Sequence, residues 1–139
     1  MVSDSRYEVP EPEDCDPKEV FAFFGLASYQ VQVLEKSLVI MVVAFRCKGL
    51  HITRREFDSL YAENSMKTFG QLLSKARKSN SIPNDIDSLL KDALLKRNWL
   101  IHHYFADCAV QFTTEIGRRQ MLDELQSLIR IFIDADLAA

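Results

Sequence analysis

Glycine and proline are scarce, four of each in 139 residues, too few for the closely spaced tight turns of a β-sandwich or barrel. No stretch alternates apolar and polar residues with a period of two, and no segment repeats. Cysteine is equally thin: Cys15, Cys47 and Cys108 are odd in number and widely spaced, with no C-x-x-C pair and no histidine at zinc-ligand spacing. This excludes a disulfide-stapled secreted scaffold and a structural zinc site, and it suits a reducing compartment. Neither a metal nor a cofactor is expected. The N-terminal residues also lack the basic start and apolar run of a secretory leader. The apolar stretch from Val20 to Phe45 is broken by Gln30, Gln32, Glu35 and Lys36, polar groups that would be costly in lipid. It reads as a core helix rather than a membrane span, and the chain is expected in the cytoplasm.

What the chain does hold is an ordinary globular balance, 47% hydrophobic and 27% charged, over a length that buries one sizeable core without staples. Charge is uneven along it. Residues 1–20 carry seven acids against Arg6 and Lys18, a net −5, which leaves +2 for the rest of a chain whose total is −3. Residues 1–15, with Pro10 and Pro12 among the acids, offer too little apolar surface to offset ordering entropy and read as a disordered acidic tail. Residues 16–139 read as a single helical domain.

Helix signals then follow one another. Asp16-Pro17-Lys18-Glu19 has the form of a capping box with proline at the first helical position, with a bend expected at Gly25. A central helix is expected over 27–48, with Tyr29, Val33, Ser37, Ile40 and Ala44 as its apolar face and Gly49 as its stop. Thr53 is placed to cap a short helix through Tyr61, and another is expected over 67–78, broken by polar residues 79–81. The clearest pattern runs from Asn84 to Phe105, where Ile86, Leu90, Ala93, Leu100 and Tyr104 form a seam. A last helix begins at Thr113 or Thr114 and ends near Asp134. Short links between long amphipathic helices imply an all-α, up-and-down bundle of four or five helices.

The seam of the 84–105 helix is interrupted by Arg97, a cation where the period calls for an apolar residue. A buried cation needs an anion, and a core carboxylate such as Glu35 on the central helix would be its structural partner. Alternatively the guanidinium faces a groove and binds a ligand's phosphate. Asn98 and His102 stand four apart on one helical face, and His103 adds a second imidazole about 100° round the helix. Seven cations against three acids over residues 67–97 give a local net charge of +4, either a solvated pair of helix faces or a basic surface. Trp99, Tyr104 and Phe105 are expected in the core or at a subunit interface.

The run Arg97-Asn98-Trp99-Leu100-Ile101-His102, continued by His103-Tyr104-Phe105 in a late helix, resembles the Arg-x4-6-His motif of the HEPN family of helical proteins, mainly over residues 84–130. The resemblance implies a HEPN-like fold and a metal-independent endoribonuclease, toxin-like in some members, that dimerises so that two motifs face one cleft. Arg97 would then bind the scissile phosphate and His102 would move protons to and from the ribose 2′-hydroxyl and the leaving oxygen. Asn98 would orient His102 or the phosphate, with His103, Glu35 and Tyr104 in support. It equally implies non-catalytic relatives that bind nucleotides or proteins. Expected partners are a second copy of the chain, RNA or a nucleotide, and an antitoxin or nucleotidyltransferase, with no membrane. The catalytic and interaction readings differ in whether Arg97 and His102 share one exposed cleft or Arg97 is held against Glu35.

Overall fold

The computed structural model of the chain describes residues 8–78 and 82–138. Among these residues it is all-helical: α1 (Pro17–Arg46), α2 (Arg54–Ser65), α3 (Phe69–Lys78), α4 (Asn84–His102), α5 (Tyr104–Asp107), a 3-10 turn (Gln111–Thr113) and α6 (Glu115–Ala138). The expected break at 79–81 lies outside the described residues. Local chemistry sets the helix starts. The Asp16 carboxylate accepts from the Glu19 amide, the Thr53 hydroxyl from the Glu56 amide and the Thr114 hydroxyl from the Gly117 amide, each satisfying a donor that a helix N-terminus leaves open. Thr68 and Gln71 cap α3 reciprocally, side chain to amide in both directions. After α1, Gly49 turns the chain with φ of 75°, a conformation that glycine adopts without Cβ strain.

The core lies between α1 and α6, the most extensively packed pair, with α4 closing one side and α2 and α3 covering the far half of α1. Val20, Phe23, Ala27, Val31, Leu34, Leu38 and Val42 form the buried face of α1. From α6, Met121, Leu122, Leu125, Leu128, Ile129, Phe132 and Ile133 meet them. Each fully buried aliphatic side chain contributes about 1.5–3 kcal/mol, so this seam accounts for the α1–α6 pairing.

Four expectations are corrected. The helix begun at Pro17 does not bend at Gly25 but runs through it to Arg46, since a lone glycine inside a helix costs only about 1 kcal/mol and the packed residues on either side of it outweigh that. The face of α1 that enters the core is not the one marked by Tyr29, Val33 and Ile40. Tyr29 and Ile40 are half exposed, while the buried stripe lies nearly opposite. The 84–105 helix breaks at His103, whose φ of −129° and ψ of −15° are off-helix, so the described residues form six α-helices rather than the four or five expected. Residues 8–15, expected in the tail, run against α6: Cys15 is buried, Arg118 donates to its carbonyl at 2.7 Å, and Gln126 donates to the Pro10 carbonyl at 3.0 Å. Acidic composition hid that segment's apolar anchors, Cys15 in the core and Val9 packed against it.

By length and composition α1 is apolar enough to cross a membrane, and 44% of its most apolar window is buried inside the bundle.

Candidate functional site around Arg97

The break at His103 orders the end of α4. The His103 amide still donates to the Trp99 carbonyl, the Trp99 indole donates to the Asp107 carboxylate at 2.8 Å across the break, and the Tyr104 ring meets the Trp99 ring edge-on. Tyr104 is thereby driven into the core, close to Phe24, with its hydroxyl donating to the Met121 carbonyl at 3.3 Å. Tyr104 therefore sits under the motif as packing, and burial pushes its phenol above the usual tyrosine range. Leu90, Ala93 and Leu100 are buried on the same seam, which fixes the rotation of α4 and with it the direction of Arg97.

Arg97 points at α1. Its Nε donates to Glu35 Oε1 at 3.3 Å, its Nη1 donates to Asn98 Oδ1 at 3.1 Å, and its side chain keeps 24% of its surface in solvent against 30% for Glu35. A guanidinium held on two acceptors in a half-buried setting is oriented yet still open on its remaining donors. The pair lies on the wall of a cavity of about 550 Å³ between α1, α4 and the ends of α2 and α3. Lys36 and Lys67 stand on the same wall, so three cations face one carboxylate; Gln32, Ser28 and Ser65 add neutral polar groups, and Val31, Val39, Leu72 and Ile101 are apolar. An anion with an apolar or planar part suits such a lining.

His102 is elsewhere. It is exposed on the outer side of α4 with His103, their rings 6.3 Å apart, and neither lines the cavity. Five positions along an α-helix turn through about 500°, which leaves Arg97 and His102 about 140° apart. The structure thus joins Arg97, Asn98 and Glu35 and leaves His102 out of that group. His102 and Asn98 instead share an outer face with Leu95 and Ile101, which are 62% and 43% exposed.

Sequence reasoning missed Lys36, Gln32 and Ser28. The signal was there: on a nearly all-apolar helix, Ser28, Gln32, Glu35 and Lys36 fall at helical spacing on one stripe. The basic surface of residues 67–97 is divided. Arg77 is neutralised by Asp87, with Nε to Oδ1 at 2.5 Å, and Lys96 lies in a separate recess beside Asp92 and Glu124. Lys67 and Lys75 remain on the side of α3 away from these. Among the described residues no group of three or more His, Cys, Asp or Glu side chains is arranged so that it could hold a metal ion.

No protein-family model matches the chain, and searches of curated proteins and of solved structures give no match.

Proposed function

We propose that the chain is a HEPN-like helical binding module whose α1–α4 cavity takes a phosphate-bearing ligand of the nucleotide class, with Arg97 and Lys36 on the phosphate. The observation that carries this reading is the Arg97–Glu35 pair, which keeps a guanidinium oriented at a cavity holding more cationic than anionic side chains. Apolar Val31, Val39 and Ile101, with the Tyr61 side chain, supply surface for a planar base. The three free thiols suit a reducing cytoplasm. The test is calorimetric titration with mono- and dinucleotides against wild type, Arg97→Gln and Lys36→Gln. Either substitution should weaken binding about tenfold, the loss of one charge-assisted hydrogen bond. No heat with any nucleotide ends this reading.

A second reading, metal-independent RNA cleavage, is favoured by one observation: Asn98 and His102 face solvent between exposed Leu95 and Ile101, an outer face suited to a second copy of the chain. Docked there, one protomer's His102 would meet the other's Arg97, and one imidazole would act as base and then as acid. An antitoxin or a nucleotidyltransferase would dock on this same face. Purified protein incubated with tRNA and mRNA, with and without EDTA, decides for or against cleavage. If the site is shared between protomers, mixing Arg97→Ala with His102→Ala chains restores about a quarter of wild-type activity, since half the dimers hold one of two sites. No recovery on mixing rejects the shared site.

A further inference from the structure

Beyond the cavity, one face of α3 carries a second set of cations. Lys67, Lys75 and Lys78 line an open groove of about 570 Å³ together with Gln71, Ser74 and Gly70. Positions 71, 74, 75 and 78 form a single stripe at helical spacing on α3, and Lys67 lies in the link just before it. Among the described residues none of the three lysines pairs with a carboxylate, and the salt bridges there use Arg54, Arg77 and Arg97. Lys75 is fixed rather than waving in solvent. Its ammonium donates to Asn64 Oδ1 at 3.0 Å, and the fully buried Asn64 is itself locked by donating to the Leu60 carbonyl at 2.8 Å.

That arrangement runs against ordinary surface design, in which like charges are spread apart. Burial first, then the Lys67 and Arg46 cations beside it, push the Lys75 ammonium below the usual lysine range, with only Glu63 pulling the other way. A cluster that repels itself in the free protein gains from any anion that enters it. Gln71 and Ser74 offer neutral donors at the same wall. Lys67 lines both this groove and the Arg97 cavity, which makes the two continuous at one side chain.

We propose that the Lys67–Lys75–Lys78 groove is a phosphate subsite, continuous at Lys67 with the Arg97 cavity, so that the natural ligand is an oligonucleotide rather than a mononucleotide. The subsite stands on the α3 geometry alone; the length of the ligand rests on the reading of the Arg97 cavity given above.

The deciding variant is Gln71→Glu. Glutamate keeps the acceptor that caps the Thr68 amide and is the preferred residue in a capping box, so folding is preserved while a negative charge enters the groove. Lys78→Gln, on an exposed side chain, is the second variant, and thermal melts confirm both as folded. Pyrophosphate is titrated first, with amide chemical shifts as the readout. Shifts at Gly70, Gln71, Ser74 and Lys75 that persist in Arg97→Gln and vanish in Gln71→Glu are the expected result. Labelled eight-nucleotide oligouridylate and uridine monophosphate follow. Gln71→Glu and Lys78→Gln should each weaken the octamer about tenfold and flatten its salt dependence by a slope of about 0.7 per lost phosphate contact, leaving the mononucleotide unchanged. Pyrophosphate shifts absent from α3, or an octamer affinity indifferent to both variants, overturn the subsite while leaving the mononucleotide reading intact. Pyrophosphate shifts on α3 without any nucleotide binding keep the subsite and overturn the oligonucleotide.

Discussion

Neutralising Glu35 should make the protein less stable and a better anion binder at once. At 3.3 Å two unit charges attract by about 1.3 kcal/mol in bulk water and about 5 kcal/mol at an effective dielectric near 20. Both side chains keep about a quarter to a third of their surface in solvent, so desolvation and side-chain ordering remove most of the larger figure. A coupling of roughly 1–2 kcal/mol remains, above the usual surface pair and below a fully buried one. Urea unfolding of wild type, Glu35→Ala, Arg97→Ala and the double variant measures it, and each single change should lower the midpoint by roughly 0.5–1 M. Glu35→Gln removes the one carboxylate from the cavity wall and frees Arg97 for a ligand phosphate, so nucleotide affinity should rise about tenfold, near 1.4 kcal/mol. Opposite movement of stability and affinity is the signature of a carboxylate that competes with the ligand. A coupling below about 0.3 kcal/mol, or an affinity that falls with Glu35→Gln, would refute the competition, since Glu35 would then be idle or its orienting of Arg97 would outweigh its hold on the cation.

Tyr104→Phe should cost about 1 kcal/mol at neutral pH through the lost bond to the Met121 carbonyl. Because burial, with Cys108 and Glu124 adding to it, raises the folded-state phenol, the stability that Tyr104 contributes is whole below about pH 10 and is lost as pH rises above that value; melts from pH 7 to 11 should show a shallower decline above about pH 10 in the variant. Gly117→Ala should cost about 3 kcal/mol or prevent folding, because its Cβ would sit 2.0 Å from the Gln111 carbonyl oxygen and 2.6 Å from Gln111 Cα, backbone atoms that cannot swing aside; a melting temperature within a degree or so of wild type would contradict the packing of the 3-10 turn on α6. Deletion of residues 1–15 should lower the melting temperature by about 5–10 °C, from the loss of a buried Cys15 and of the bonds from Arg118 and Gln126; an unchanged melt would return those residues to the tail.

Helix starts were legible because they are written in two or three adjacent residues. Asp16-Pro17 and Thr53 each name the group that satisfies the first free amides, the Thr113-Thr114 pair narrows it to two, and Asp16, Thr53 and Thr114 do so in the fold. The α4 seam was legible for a different reason: its opposite side carries Lys91, Asn98 and His102, so only one apolar stripe exists. On α1 two stripes compete. Tyr29, Val33 and Ile40 repeat as regularly as Ala27, Val31, Leu34 and Leu38, and the local period cannot rank them; the choice belongs to α6, whose apolar face demands the more continuous partner. Ser37 made the false stripe look amphipathic while in fact it bonds to Asp136 of α6. The groove on α3 was partly legible, since its lysines stood out as a charge excess, but Arg77 could not be told from Lys75 before Asp87 was seen beside it.

The spacing within the motif bears on what a single chain does. Arg-x4-His places its two ends about 140° apart on any straight α-helix, so one face never presents both, and the intervening Asn98 accepts from Arg97 rather than from His102. Straightening the break at His103 would not help, because His102 lies before it, inside α4. A joint action of Arg97 and His102 on one phosphate therefore needs either an arginine released from Glu35 and swung outward or an imidazole brought by another copy. The first route exposes a half-buried carboxylate and empties the cavity wall of its oriented cation; the second leaves every interaction of the single chain in place. Binding through Arg97 needs neither. Anion capture is thus the lower-cost use of this arrangement, and a nuclease built on it would be a property of the dimer.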